Sequence, residues 1–293
     1  MEERVQEFIL YLREVKQLSN NTYISYHQDL EKFLVYLHNN GINSLQKISD
    51  VTMNSYILYL EKNNFSTATI ARNIVVLKAF FLHLIKHHVI LVDPTERLKA
   101  PRVEKKPRQT LSVEEVNALL NAPDINSIKG IRDKAMFELL YATGIKASEL
   151  VELKVENVNF AYNILTCHNA KGERLIPFGN DAKEALDLYL KEARQRLAGL
   201  YDHCFLFVNQ HGHPMTRQGF WKIIKGYAGE IGIETITPQI LRNSFAKHLI
   251  ANGASVNTVG DMLGYSDHSL AYMYTTDKAA RVRDEYMRAH PRA

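Results

Sequence analysis

The stretch from Thr237 to Tyr274 combines an arginine helix, a glycine turn and a tyrosine. Thr237 is a good N-cap and Pro238 suits the first helical position, so a helix is predicted to begin here with its free amides facing forward. Gln239 and Arg242 are three residues apart and therefore share one face of that helix. Arginine forks and free helix amides both bind phosphate oxygens. We therefore predict a phosphodiester site in this stretch.

The first ninety residues contain only helical periodicity, which predicts a small bundle of four helices. Near the predicted helix starts lie polar side chains that can meet phosphates together with the free amides, among them Thr22, Arg72 and Asn73. Ordinary capping and solvated surface is the alternative interpretation for each of these residues.

Between residues 94 and 110 the apolar period disappears, and a segment with two prolines and five basic residues follows. This composition is typical of a domain linker. Its cationic side chains would suit a path along a nucleic-acid backbone; they are Arg102, Lys105, Lys106 and Arg108. A merely solvated linker is the alternative.

Past the linker, helices alternate with one predicted β-hairpin. Ser112 and Glu115 form a capping-box pattern, and a helix predicted from Ile131 to Thr143 ends at Gly144, with Lys146 close behind. The hairpin, 163–167 with 174–177, presents Lys171 at its tip. A short strand at 205–208 and a helix from 216 to 229, which carries Arg217, lead back to the opening stretch. The tail after Tyr274 is predicted to be helical.

The chain is thus predicted to be mainly α with a small β-sheet: a helical bundle (1–98), a basic linker (99–110) and a mixed α+β domain (111–293). A net charge of +4 over 293 residues permits a polyanionic partner without requiring one. Cys167 and Cys204 have no zinc or disulfide spacing, which favours a reducing cytoplasm. Paired histidines lack a third ligand, so neither metal nor cofactor is predicted. The charged N-terminus and the interrupted apolar runs predict no membrane association.

Four ordered motifs resemble those of the tyrosine recombinases, or phage-integrase family, and most closely the Xer type. Tyr141-Ala-Thr-Gly-Ile-Lys-Ala-Ser-Glu-Leu150 resembles the first arginine motif, and Lys171-Gly-Glu-Arg-Leu-Ile-Pro177 resembles the hairpin lysine motif. Thr237 to Arg242 resembles the HxxR helix, and Leu263-Gly264 followed by Tyr274 resembles the nucleophile box. The N-terminal helices look like the family's core-binding (SAM-like) domain, so the resemblance covers nearly the whole chain.

The resemblance implies that a tyrosine attacks a DNA phosphate, giving a 3′-phosphotyrosyl bond and a free 5′-hydroxyl without metal or nucleotide. Tyr274 would be the nucleophile, Arg242 the second arginine and Lys171 the general acid. Tyr272, two residues before the nucleophile, is the alternative tyrosine, although family spacing favours Tyr274.

Four positions depart from the family pattern. Lys146 replaces the first arginine and loses its bidentate fork, which costs roughly 1.5 to 3 kcal/mol. Gln239 replaces a histidine and cannot exchange a proton, which costs on the order of a hundredfold in rate. Asn243 stands where histidine is frequent, and Tyr265 replaces a histidine or tryptophan and is the mildest change. A slow enzyme is expected.

Three functions are compatible with these residues. The first is a weakly active site-specific recombinase. The second is a silent homologue that acts as an architectural or regulatory DNA-binding subunit, and the third is an unrelated helical protein with chance motifs. The resemblance implies two kinds of partner: double-stranded DNA, and further protomers, from a dimer to a tetramer of one or two chain types, joined through the C-terminal tail.

Overall fold

The computed structural model describes residues 1–103, 108–169, 172–199 and 204–265. It divides the chain into two compact units, Met1–Lys106 and Pro107–Ala293. The predictions for Lys105, Lys106, Lys171, Tyr274 and the C-terminal tail lie outside the described residues.

The N-terminal unit is the predicted four-helix bundle. Its helices are α1 (Glu2–Glu14), α2 (Asn20–Asn39), α3 (Asp50–Lys62) and α4 (Thr67–Lys86), with a 3-10 turn at Leu45–Lys47. Serine side chains cap three of them, because Ser19, Ser49 and Ser66 each accept a hydrogen bond from the amide three residues on.

Aromatic side chains fill the centre of this bundle. Phe33 contacts Tyr56 edge-on with 4.9 Å between ring centroids, and Phe8 lies 5.4 Å from Phe80. Helix α4 is apolar and long enough to cross a membrane by composition alone, with a mean hydropathy of 1.6. Seven of its apolar side chains, Phe81 and Leu77 among them, are buried in the bundle.

The C-terminal unit surrounds a buried central helix, α6. Its helices are α5 (Val113–Asn121), α6 (Ile128–Thr143), α7 (Ala147–Glu152), α8 (Asn180–Leu188), α9 (Gln195–Ala198), α10 (Arg217–Glu230), α11 (Pro238–Ala251) and α12 (Val256–Leu263). A π-helical turn, Tyr189–Arg194, joins α8 to α9. Eleven residues of α6 are buried, which is why this helix lacks a strongly polar face.

A three-stranded antiparallel sheet lies in the order β1 (Val158–Asn159), β2 (Ile164–Asn169), β3 (Gly172–Pro177). The register pairs Ile164 with Pro177 and Asn169 with Gly172, as expected for the predicted hairpin. Strand β1 was not predicted, since two residues carry too little pattern to be recognised.

The prediction of a strand at 205–208 is wrong. This segment makes only isolated bridges, Lys154 with Phe205 and Val208 with Pro214. Leu206, Phe207 and Val208 are all fully buried. A short apolar run has the sequence pattern of a buried strand even when no neighbouring strand pairs with it.

Candidate functional site

Arg242 is the largest fully buried side chain among the described residues, with 2% of its surface exposed. Its helix, α11, begins as predicted: the Thr237 hydroxyl accepts a hydrogen bond from the Ile240 amide at 3.1 Å, and proline occupies the first turn. The guanidinium donates to the carbonyl of Gly144 at 2.5 Å and to that of Leu263 at 2.7 Å. These carbonyls close α6 and α12, so the cation lies where two helix C-termini meet.

The turn at Gly144 brings α6 against α11. Gly144 has the left-handed φ of 60° that glycine tolerates best. A Cβ atom here would lie only 2.2 Å from a ring carbon of Phe245. Both the backbone angle and the close approach therefore require glycine, and they put the carbonyl of residue 144 within reach of Arg242.

Tyr265 covers one face of Arg242. The guanidinium carbon lies 5.6 Å from the Tyr265 ring centroid, which is a cation–π distance. The Tyr265 hydroxyl accepts a hydrogen bond from Arg108 Nη1 at 3.1 Å. One residue of the predicted basic linker thus contacts a residue of the predicted site.

Lys146 lies two residues beyond Gly144, at the start of the short helix α7. Just over half of its side chain is exposed, and its ammonium is 3.9 Å from Glu149 Oε1. Its backbone amide donates to Glu149 Oε2 at 2.7 Å. Lys146 therefore supplies a single flexible charge beside the Arg242 pocket and no fork.

Arg174 is a site residue that the sequence reasoning missed. Its fork binds both oxygens of Glu149, at 2.9 and 2.7 Å, and its Nε donates to the carbonyl of Met262 at 3.1 Å. Burial alone would raise the pKa of Glu149, but the Arg174 fork, the hydrogen bond from the Lys146 amide and the charges of both residues together outweigh burial and hold that pKa below its usual value. Arg174 shares a strand face with buried Ile176, and that alternation is the signal that could have found it.

Gln239 lies on the exposed side of α11, where it donates from Nε2 to Asn243 Oδ1 at 2.8 Å. Asn243 Nδ2 in turn donates to the backbone carbonyl of Gln109 at 3.1 Å. Three further bonds hold the chain segment 109–111 on α11: Leu111 N to Ser244 Oγ (2.8 Å), Lys247 Nζ to Thr110 Oγ1 (3.2 Å) and His248 Nε2 to Leu111 O (3.1 Å). We call 109–111 the entry segment.

His248 is also a residue that the sequence did not single out as functional. Because a carbonyl only accepts, His248 Nε2 carries the hydrogen bound to Leu111, and Nδ1 accepts from the Tyr141 hydroxyl at 2.9 Å. Burial lowers the pKa of the imidazole below its ordinary value. The ring is thus held as one neutral tautomer that joins α6, α11 and the entry segment.

The N-terminal candidates occupy three different environments. Asn73 was predicted to contact phosphate, and this prediction is wrong: its side chain is fully buried, with its amide bound to Tyr56 and to the Thr69 carbonyl. The helical periodicity did not reveal that Asn73 faces the core. Arg72 forks onto buried Asp29 at 2.6 and 3.0 Å, and the Thr22 hydroxyl lies 2.7 Å from that of Ser19.

Two basic candidates are exposed. Arg102 lies in the segment after the bundle, and Arg217 is the first residue of α10. One turn after Arg217 on the same helix face is Trp221, 42% exposed, and Lys225 lies 5.4 Å above its ring. No cluster of three metal-ligating side chains occurs within the described ranges.

Family models match both halves of the chain. The phage integrase family covers residues 109–281, and the phage integrase N-terminal SAM-like domain covers residues 5–88. The tyrosine recombinase XerD of Oceanobacillus iheyensis is 40% identical over 298 residues, with all of both chains covered. That of Halalkalibacterium halodurans is 37% identical, covering 99% of this chain and 98% of its own.

Solved structures share the fold at low identity. The Tn1549 transposon integrase in complex with a circular intermediate DNA is similar with a TM-score of 0.77 at 18% identity, covering 97% of this chain and 99% of that one. XerH bound to a palindromic difH substrate gives a TM-score of 0.74 at 18% identity, covering 97% and 84%.

Proposed function

The chain belongs to the phage integrase family of tyrosine recombinases, and from this premise we propose that it is a site-specific DNA recombinase of the Xer type with a slow catalytic step. The observation that carries the proposal is full-length similarity to XerD proteins at about 40% identity. The arrangement around Arg242 supports the proposal, because Arg242, on helix α11, binds the end of α6 just before Lys146, so that two cationic side chains belong to the same site.

The residue roles follow the family reaction. Tyr274 attacks the scissile phosphate, Lys171 protonates the leaving 5′-oxygen, and Arg242 neutralises the phosphorane. Lys146 adds one charge without a fork, and Gln239 donates an N–H to a phosphate oxygen. Tyr265 packs on Arg242. The step uses no metal and no nucleotide.

DNA binding is assigned to both units. Residues 1–98 form the N-terminal binding domain, 99–110 the basic linker and 111–293 the catalytic-type domain with its tail. Arg102, Lys105, Lys106, Arg108 and Arg217 are the proposed cationic contacts, with Arg72 and Thr22 at the bundle. The active assembly is a dimer to tetramer on DNA, formed through the tail, and it works in the cytoplasm.

One observation favours the second candidate, a silent architectural subunit. Arg242 is 2% exposed and donates to two backbone carbonyls, while Lys146 is drawn toward Glu149. A phosphate must compete with these partners for both cations. A protein that binds the duplex without cutting it would tolerate this arrangement.

Incubation with a nicked suicide duplex tests the choice. A slow recombinase leaves a protein–DNA adduct that resists denaturation and disappears in Tyr274→Phe, while the same variant still binds the duplex. Binding without any adduct in the unaltered chain would establish the silent subunit. Failure to bind any duplex above the nonspecific level would overturn both functions.

A further inference from the structure

Asn243 lies between a fixed backbone acceptor and the exposed amide of Gln239. The carbonyl of Gln109 can only accept, so the group that Asn243 turns toward it must be Nδ2. The Asn243 Oδ1 atom then faces Gln239 and must receive a donor, which is Gln239 Nε2 at 2.8 Å. One backbone carbonyl therefore sets the orientation of two side-chain amides.

Asn243 and Gln239 differ in burial, and this difference indicates which of the two amides positions the other. Asn243 is 5% exposed, and it is packed where the entry segment runs along α11. Gln239 is exposed at the opening turn of the same helix. The buried Asn243 amide is held by the Gln109 carbonyl, whereas a glutamine on a helix surface samples several rotamers when nothing holds it. The Gln109 carbonyl of the entry segment therefore fixes the Asn243 amide, and Asn243 in turn fixes the Gln239 amide.

With one Nε2 hydrogen bound to Asn243, Gln239 keeps its second hydrogen for an external acceptor. Turning the amide over would bring Gln239 Oε1 against Asn243 Oδ1, and two acceptors repel each other. The side chain is therefore held as an N–H donor one helical turn before Arg242.

We propose that Asn243 is a positioning residue for the phosphate contact of Gln239, with the Gln109 carbonyl as its fixed point. This inference rests on the proposed function, since Gln239 is taken to face the DNA phosphate. The entry segment is thereby a structural part of the phosphate site as well as a connection to the linker.

A double-mutant cycle tests the proposal with Gln239→Ala, Asn243→Ala and the double variant. The readouts are adduct formation on the suicide duplex and the dissociation constant of the uncut complex at fixed salt. In the unaltered background Asn243→Ala should lower adduct formation, raise the dissociation constant, or do both, by about threefold to tenfold, the size of one neutral hydrogen bond. In the Gln239→Ala background the same change should have no further effect, because the amide that Asn243 positions is then absent. Equal losses in both backgrounds would overturn the proposal.

Ser244→Ala is the matched control. It removes a different bond between α11 and the entry segment, Leu111 N to Ser244 Oγ at 2.8 Å, and leaves the two amides in place. A thermal unfolding curve should show that it destabilises the fold at least as much as Asn243→Ala. Its adduct formation and its affinity should stay within about twofold of the unaltered chain.

A measurement without DNA separates this inference from the proposed function. In the free protein, the side-chain ¹⁵N–¹H signals of Gln239 should be dispersed and one hydrogen should exchange slowly with solvent. Asn243→Ala should return both signals to the values of a free glutamine, and Ser244→Ala should not. Unchanged Gln239 signals in Asn243→Ala overturn the positioning role even if the chain proves to be an active recombinase. Absence of DNA binding overturns the proposed function and with it the phosphate contact.

Discussion

Lys146 brings positive charge to the Arg242 pocket without the geometry to hold two phosphate oxygens at once. Its ammonium, 3.9 Å from Glu149 Oε1, is a point charge on a flexible stem, whereas a guanidinium presents two parallel N–H groups. Gln239 can donate to a phosphate but cannot transfer a proton. The limits on catalysis are therefore properties of single side chains.

Restoring those side chains should raise the rate. The triple variant Lys146→Arg, Gln239→His and Tyr265→His is expected to increase adduct formation by on the order of a hundredfold, since it regains a fork and an acid/base group. The rate of adduct formation on the suicide duplex is the measurement. The same triple change combined with Tyr274→Phe should give no adduct. A rate unchanged by the three reversions would contradict this electrostatic account.

At this scale, residue type and spacing predicted Arg242 and Gln239, and the family resemblance predicted Lys146 and Tyr265. The structure places Arg242, Lys146 and Tyr265 around the ends of α6 and α12. Arg174 was missed because its importance comes from Glu149, 25 positions away in the chain. Asn73 was wrongly predicted to be a surface residue. A polar residue near a helix start is normally exposed, and its buried partner, Tyr56, is remote in sequence.

Helices meet at the site through tight backbone turns. Gly144→Ala should lower the free energy of unfolding by at least about 2 kcal/mol, because it combines a left-handed backbone with a collision against Phe245. Gly232→Ala is the control: Gly232 also has a positive φ, of 77°, but a Cβ there meets nothing within 4 Å. Gly232→Ala should lower the free energy of unfolding by only about 1 kcal/mol, the cost of the left-handed backbone alone. Chemical denaturation of the two variants makes the comparison, and equal losses would show that the Phe245 contact carries no weight.

Helix α11 should respond to acid through His248. The pKa of His248 is lower in the folded chain than in the unfolded chain, so its contribution to stability is present above the unfolded value near 6.5 and is lost as the pH falls below it. His248→Gln, which can still donate to Leu111, should flatten the stability curve between about pH 7 and pH 5. Because the ring is partly exposed, the difference is expected to be a few tenths of a kcal/mol.

Denaturant titrations at several pH values measure this difference. His211→Gln, which changes an exposed histidine of the same unit, should leave the curve of the unaltered chain in place. A curve for His248→Gln that runs parallel to that of the unaltered chain would argue against a lowered pKa of His248 in the folded chain.

Sequence patterns predicted the starts and ends of individual helices most accurately. Serine and threonine caps, the capping box at Ser112, the left-handed Gly144 and the proline in the first turn of α11 all stand where their local chemistry places them. Prediction failed where strand pairing, which the local pattern does not reveal, decides whether a segment is a strand. Strand β1 exists because Val158 pairs with Leu165, and the buried run at 205–208 lacks a continuous partner.

For the molecule as a whole, a net charge of +4 is too small to bind DNA by itself, so the distribution of basic residues must carry the affinity. The logarithm of the binding constant should fall linearly with the logarithm of the salt concentration. Arg217→Ala should reduce that slope by about one, the loss of one phosphate contact. Arg196→Ala, which removes an exposed arginine paired with Glu192, should leave the slope unchanged. Equal slopes for both variants would remove Arg217 from the DNA contacts.

Because the entry segment is bound to α11, it also determines where a fragment of the C-terminal unit must begin if its site is to stay complete. The sequence places the start of the C-terminal domain at residue 111, just before the Ser112 capping box, yet the carbonyl that orients Asn243 belongs to Gln109. A fragment that begins at 111 would keep every helix of the unit while losing the acceptor that orients its phosphate-facing amides. A fragment that begins at 107 would keep it. The smallest fragment that keeps this acceptor therefore starts inside the predicted linker. Protease cuts or gene fusions made between residues 109 and 111 should impair the site while leaving the fold intact.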